Sequence, residues 1–190
     1  EFKDVLVPGK LIDVGPASMA TGGSVSNTGI ALHRLGNQTR MIGKIGNDPF
    51  GSMVLGLLDD QDPSLGKDMI IDPGGSTSYT IVISPPGSDR MFLHCPGVNH
   101  TFCNADIKDE HINGIGLFHF GYPPLMRSMY QNGGAELALL FQRAKAVGLT
   151  TSLDMSIPDP NSEAARVDWQ ALLERALPHV DIFLPSLDEV

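Results

Sequence analysis

Gly22-Gly23-Ser24-Val25-Ser26-Asn27 is followed by a helical stretch that closes at Leu35-Gly36. Two adjacent glycines let a backbone come close to a bound ligand at a helix N-terminus. Asn27 falls one turn inside that helix and carries a donor and an acceptor on one side chain. This suits a polyhydroxy ligand better than a phosphate. Asn is mildly unfavourable within a helix, so its presence there asks for a reason. Taken alone, the glycine pair also reads as a plain tight turn. A second glycine-rich stretch follows, Gly43-x-x-Gly46-x-Asp48-x-x-Gly51.

The chain has 190 residues, 42% of them hydrophobic, and can bury one sizeable core as a single domain or part of a larger one. A net charge of -9 argues against nucleic acid or an anionic membrane surface as partner, because both require an electropositive face. A nucleotide ligand needs only a local positive field and stays open. No apolar run approaches the ~20 residues of a membrane span, and the first residues show no signal-peptide pattern. Cys95 and Cys103 are the two cysteines and lack C-x-x-C spacing, so neither a disulfide framework nor a zinc site is inferred. Two free thiols fit a reducing, cytoplasmic setting. The sequence starts at Glu1 without an initiator Met and stops at Val190, shortly after an apparent helix start at Ser186. It reads as an internal part of a longer protein.

Strand and helix alternate along most of the chain. Asp48-Pro49 supplies a helix cap and a preset first position, and Phe50, Met53, Val54, Leu57 and Leu58 recur at helical spacing. Thr77 to Ser84 is β-branched and aromatic, residues 85–88 are a turn cluster, and Arg90 to His94 reads as a returning strand, which makes a hairpin. Asn104 is expected to cap a polar helix through Ile112, before an apolar run from Ile115 to Phe120. A helix is expected over roughly Gly134 to Val147, with Leu139, Leu140 and Ala144 on one face, then a strand over Leu149 to Leu153. A helix over Trp169 to Leu177, capped by Asp168 and stopped by Pro178, leads to a strand over Val180 to Leu184. Such alternation implies a mainly parallel sheet covered on both faces, with the hairpin outside it.

Ligands of open α/β sheets bind beyond the carboxyl ends of the strands. The turn-rich segments at residues 43–48, 121–124, 154–159 and 185–189 fall there, so the site is expected to be a cleft lined by several loops. Asp48 reads first as a helix cap and second as a site residue. Asp154 could bind a sugar hydroxyl or metal-linked water, or hold its own loop through an Asx-turn. Ser186-x-x-Glu189 is a capping box by sequence. His33, His94 and His119 lack metal-ligand spacing and read as structural. There is neither a Walker loop nor a G-x-G-x-x-G opening a helix. The missing glycine fingerprint counts against a dinucleotide-binding oxidoreductase domain, the least favoured of the readings considered.

The spacing G-G-x-x-x-N-x-x-x-x-L-x-x-L-G from Gly22 to Gly36, with Gly43 to Gly51 beyond it, resembles the first signature of the ribokinase family of carbohydrate kinases, also called the PfkB family. Gly75 to Thr80 and Gly87 to Phe92 resemble the family's lid hairpin, and Pro96-Gly97-Val98-Asn99 its G-A-N segment. Asp154 stands where members begin a D-x-N type loop, and Pro185-Ser186-Leu187-Asp188-Glu189 resembles P-N-x-x-E, with Ser186 in place of the Asn. The loop after Asp154 lacks the Asn and Arg found in ketodeoxygluconate and fructose kinases of the family.

The resemblance implies an α/β fold, a ribokinase-like three-layer αβα sandwich with a mainly parallel sheet and a small β lid. Residues 1–190 would form an incomplete domain of that kind, with lid segments at about 5–20 and 74–97. It implies transfer of the γ-phosphoryl of ATP to a hydroxyl of a sugar or sugar-like alcohol, with Mg²⁺ bridging the phosphates. Gly22, Gly23, Asn27, Asn99 and Asp154 would bind the substrate, while Ser186 and Glu189 would serve the nucleotide, Glu189 on the Mg²⁺ side. The family's catalytic Asp and anion-hole glycines would lie beyond Val190, so this segment alone is expected to be inactive. A homodimer through the lid is implied as a possibility, and a non-catalytic sugar-binding or regulatory relative is the alternative.

Overall fold

Gly23 takes φ +74, a backbone that only glycine adopts without steric cost, and the first helix, α1 (Gly23–Arg34), starts on it. It closes at Leu35 before Gly36, as the sequence predicts. The structure is a computed structural model that describes residues 8–85, 87 and 89–189. After α1 come β1 (Lys44–Gly46), α2 (Pro49–Asp59) and β2 (Ile70–Asp72). Next are the antiparallel strands β3 (Tyr79–Ile83) and β4 (Met91–Cys95), followed by the short helix α3 (Asp109–Ile112). The remainder is β5 (Leu117–Gly121), α4 (Arg127–Ala146), β6 (Thr150–Asp154), α5 (Trp169–Ala176) and β7 (Ile182–Leu184).

Among the described residues all strand pairing outside the hairpin is parallel. β5, β6 and β7 form one sheet in that order, with Gly121 opposite Asp154 and Asp154 opposite Leu184. β1 and β2 form a second parallel pair around α2, so among the described residues the parallel strands fall into two sheets rather than one. Ile42 and Ile70 nevertheless pack against the core of the larger sheet. That core joins Phe118 and Phe120 from β5, Leu153 from β6, Leu137, Leu140 and Phe141 from α4 and Leu172 from α5. Phe118 and Phe141 meet edge to face with centroids 5.9 Å apart, an arrangement that aromatic quadrupoles favour. A smaller cluster of Met41, Leu58 and Leu65 sits between α1 and α2.

Several local expectations need correction. Asn104 caps no long helix. Residues 104–106 make one 3-10 turn and α3 is separate, because Asn104 is tied to α4 instead. Arg143 donates to its carbonyl at 2.9 Å and to its side-chain oxygen at 2.7 Å. α4 begins at Arg127, earlier than expected, but its helical course breaks at Gln131–Gly134, where Asn132, Gly133 and Gly134 are all left-handed. Arg175 of α5 donates to the freed carbonyls of Asn132 and Gly133 at 3.0 and 2.9 Å. Leu139 is exposed while Leu137, Leu140, Phe141 and Ala144 are buried, so the core stripe runs at i, i+3, i+4 and i+7 from Leu137. Of the first expected lid segment, residues 5–7 lie outside the described residues, and residues 10–20 have no regular secondary structure, with Leu11, Val14 and Met19 exposed.

The hairpin joins the rest through a tight crossing. Asp48 caps α2, its Oδ1 accepting from the Gly51 amide at 2.8 Å. The same carboxylate accepts from the Thr77 amide and the Thr77 hydroxyl, each at 2.7 Å, and the Gly46 amide donates to Thr77 Oγ1 at 2.8 Å. Thr77 is 2% exposed. Phe50, expected on the core face of α2, instead stacks on Tyr79 of β3 at 4.9 Å and stays partly exposed.

These contacts make two predictions. Thr77→Val keeps the shape but strands the Gly46 amide and removes one of the two bonds to Asp48 Oδ1, and should cost about 1–3 kcal/mol in urea unfolding. Gly51→Ala would place a methyl 2.1 Å from the Gly46 carbonyl oxygen and should prevent normal folding, whereas Gly56→Ala, in open space on the same helix, should stabilise by about 0.5–1 kcal/mol. Equal melting temperatures for the two alanine variants would contradict the crossing.

Candidate functional site

The carboxyl end of β5 is held between two other elements. At Gly121 a Cβ would lie 2.4 Å from Ser24 Cβ and 3.5 Å from Asp154 Cβ, so only glycine lets the first turn of α1 descend onto the strand end. This brings Gly22 and Gly23 to the edge where β5 and β6 finish. The carboxylate of Asp154, the last residue of β6, accepts from the Met155 amide at 2.9 Å through Oδ1. Burial pushes its carboxyl above the usual range, and the nearby Glu189 adds to the rise, against the Met155 bond and His119. Asp154 and Glu189 therefore share one electrostatic neighbourhood although they lie 35 residues apart in sequence.

Glu189 ends the 3-10 turn after β7, and its Oε2 accepts from the Ser186 amide at 2.7 Å. This is half of the capping box expected by sequence. Ser186 itself is exposed. Asn99 stands in the 3-10 turn that follows β4, at the base of the hairpin. Gly97, two residues before it, takes φ +50 and passes so close to Ser76 that a Cβ would lie 2.3 Å from the Ser76 carbonyl oxygen, while the Val98 amide donates to that same oxygen at 2.9 Å.

A long open groove runs across this side of the molecule. Gly22, Gly23, Asn27, Asn99 and Glu189 line it, and Asp154 and Ser186 do not. Asn27 is exposed on α1. The groove is too extended for shared lining to make these residues neighbours. The direct contacts are those around Ser24, Gly121 and Asp154. Farther along the groove Arg127 pairs with Glu163 at 2.9 Å, beside His100, whose imidazole is kept below its ordinary pKa by burial and then by the Arg127 charge.

Two groove residues were given no site role by the sequence, which reads His119 as structural and Tyr122 only as part of a turn. His119 of β5 meets Ser152 Oγ through Nδ1 at 3.1 Å, and among the described residues its buried Nε2 has no partner. Burial lowers its pKa, so the ring is neutral near pH 7. Tyr122, directly after β5, adopts φ 63 and ψ 44, a left-handed conformation rare for a bulky residue and disfavoured further by the following Pro123. The turn signal of Tyr-Pro-Pro was visible in the sequence. Its handedness was not.

Among the described residues no group of three or more His, Cys, Asp or Glu side chains could hold a metal ion, and no helix is long and apolar enough to cross a membrane. Mg²⁺ commonly binds through one or two carboxylates, with phosphates and water filling its octahedron. The half-exposed Glu189, with Oε1 uncommitted among the described hydrogen bonds, fits such a partial donor set.

A family model described as pfkB family carbohydrate kinase matches residues 3–190. Fructokinase-1 of Oryza sativa subsp. japonica is 28% identical over 181 residues, covering 90% of this chain and 55% of the relative. The chain thus spans about half the length of the curated relatives it matches. Among solved structures, a PfkB protein from Polaromonas sp. JS666 superposes with a TM-score of 0.74 at 17% identity, covering 95% of this chain and 60% of that one. A fructokinase double mutant from Vibrio cholerae O395, solved with fructose, ADP and potassium ion bound, gives 0.68 at 24% identity, covering 88% and 53%. The likeness to these structures establishes the ribokinase-like α/β fold.

The raised pKa of Asp154 makes a testable statement about stability. A carboxyl held above its unfolded value of 3.8 binds its proton more tightly in the fold, so it opposes folding increasingly as pH rises through the folded value. Asp154→Asn should therefore raise the melting temperature at pH 7, and the gain should vanish on acidification below pH 3.8, where both forms are neutral. A gain that persists in acid would assign the effect to packing.

Proposed function

Because this chain belongs to the pfkB family of carbohydrate kinases, we propose that the protein transfers the γ-phosphoryl of ATP to a hydroxyl of a small sugar, with fructose the first candidate. The observation that carries this reading is the convergence of the glycine-opened end of α1 on the strand ends at Gly121 and Asp154. A helix N-terminus with bare backbone beside a carboxylate can both donate to and accept from the hydroxyls of one polyol. The relatives named fructokinase and the fructose-bound neighbour favour a ketose over other sugars, against the loop after Asp154, which lacks the Asn and Arg of the family's fructose kinases.

In this reading Gly22, Gly23 and Asn27 orient the sugar from the α1 side and Asn99 from the base of the hairpin. Asp154 accepts from a sugar hydroxyl, its own carbon skeleton held by the β6 ladder. Ser186 and Glu189 face the nucleotide, and Glu189 would hold Mg²⁺ together with phosphate oxygens and water. Bound Mg²⁺ supplies neutralisation of the phosphate charge that develops during transfer. The hairpin acts as a lid that limits water, which competes with the sugar as acceptor. Its exposed apolar residues, among them Ile81 and Phe92 at 52% and 56%, need cover of this kind, and pairing with a second copy of the hairpin in a homodimer would supply more.

ADP release from ATP, followed for the full-length protein that contains this chain with a panel of ketoses, aldoses and nucleosides, tests the reading. No sugar-dependent release above background would overturn it. In the same assay Asn27→Ala should raise the sugar KM, a loss of about 1–3 kcal/mol, and leave the ATP KM nearly unchanged. Unaltered sugar kinetics would remove Asn27 from the site.

A further inference from the structure

Tyr122 is pinned from four directions. Its amide donates to the Asp154 carbonyl at 3.2 Å, Gly121 before it lies against Ser24, Pro123 and Pro124 after it are buried in a 3-10 turn, and the Leu125 amide donates to its carbonyl at 3.0 Å. The left-handed backbone is over-determined by these contacts. An aromatic side chain kept in that conformation, where glycine would sit without strain, has a use for its ring. The ring lines the groove and stands near both acidic groups, Asp154 and Glu189.

We infer that Tyr122 is a specificity-determining contact of the sugar site, its phenol donating a hydrogen bond to a neutral oxygen of the substrate where the groove passes the end of β5. The inference rests on the kinase reading above and sharpens its substrate class. Burial, and then the charges of Asp154 and Glu189, raise the phenol pKa, so the O–H is a proton donor throughout the neutral range. Among the described residues none hydrogen-bonds the Tyr122 hydroxyl, which leaves it available. The same two carboxylates repel an anion placed against the ring. A neutral polyol fits this end of the groove. A sugar acid, or a sugar already phosphorylated at that end, does not.

The test compares wild type with Tyr122→Phe and Tyr122→Gly in the whole protein, by calorimetric binding of fructose and of gluconate and by ADP release. Tyr122→Phe should weaken fructose binding about three- to tenfold, the loss expected for one neutral hydrogen bond, with an unchanged melting temperature. Tyr122→Gly should weaken it as much while the melting temperature holds or rises, since the backbone strain is relieved. Wild type should bind gluconate at least about tenfold more weakly than fructose. Fructose binding unchanged in Tyr122→Phe, or gluconate bound as tightly as fructose, would overturn the inference. Weakened binding without any phosphoryl transfer by wild type would overturn the kinase reading and leave the Tyr122 contact standing.

Discussion

The crossing at Asp48 and Thr77 organises the N-terminal half of the molecule. One carboxylate closes the first turn of α2 and takes both donors of Thr77, while the Thr77 hydroxyl also receives the Gly46 amide. Three backbones approach here without room for a side chain, since a Cβ on Gly46, Gly51 or Gly97 would lie within 2.4 Å of a carbonyl oxygen. The Thr77 bonds, then the Gly51 amide, hold the Asp48 carboxyl below its ordinary value. Its contribution to stability is therefore complete above pH 3.8 and is lost as pH falls through the lower folded value. The end of β1, the start of α2, the entry to β3 and the turn bearing Asn99 all depend on this one group of bonds.

A second close approach, of Ser24 on Gly121, sets the geometry of the candidate site in the same way. It turns a parallel sheet edge, where strand ends face open space, into a place where a helix N-terminus, a half-buried carboxylate and the left-handed Tyr122 stand close together. The charge arrangement along the groove is uneven. At the β6 end, burial and then the nearby Glu189 charge hold the Asp154 carboxyl above its ordinary pKa, and the Arg127–Glu163 pair with His100 offers neutralised polarity elsewhere. A neutral, hydroxyl-rich ligand suits the first of these places better than an anion.

Much of the fold was legible because it depends on local chemistry. The glycine pair and its left-handed Gly23, the Asp48-Pro49 cap and the Asp168 cap all follow from residues adjacent in sequence. The expected hairpin appears as β3 and β4, with Thr80 opposite His94 and their side chains 2.8 Å apart. The misses share a cause. Asn104 has the chemistry of a cap, yet Arg143 claims it from 39 residues away. Leu139 and Phe50 have the composition of core residues, but the stripe that packs is shifted at Leu139, and Tyr79 draws Phe50 to the hairpin.

The sequence by itself determined the class of fold, the order of its elements and the family signature around Gly22 and Asn27, because periodicity, caps and turn residues act over a few positions. Only the tertiary structure decided which strand ends meet, that Asp154 and Glu189 share one electrostatic environment, and that Tyr122 is locked in a left-handed backbone beside them. Those facts arise from contacts between residues tens of positions apart. Close packing at Gly121 and the backbone crossing at Thr77 select them, and no local preference encodes such distances.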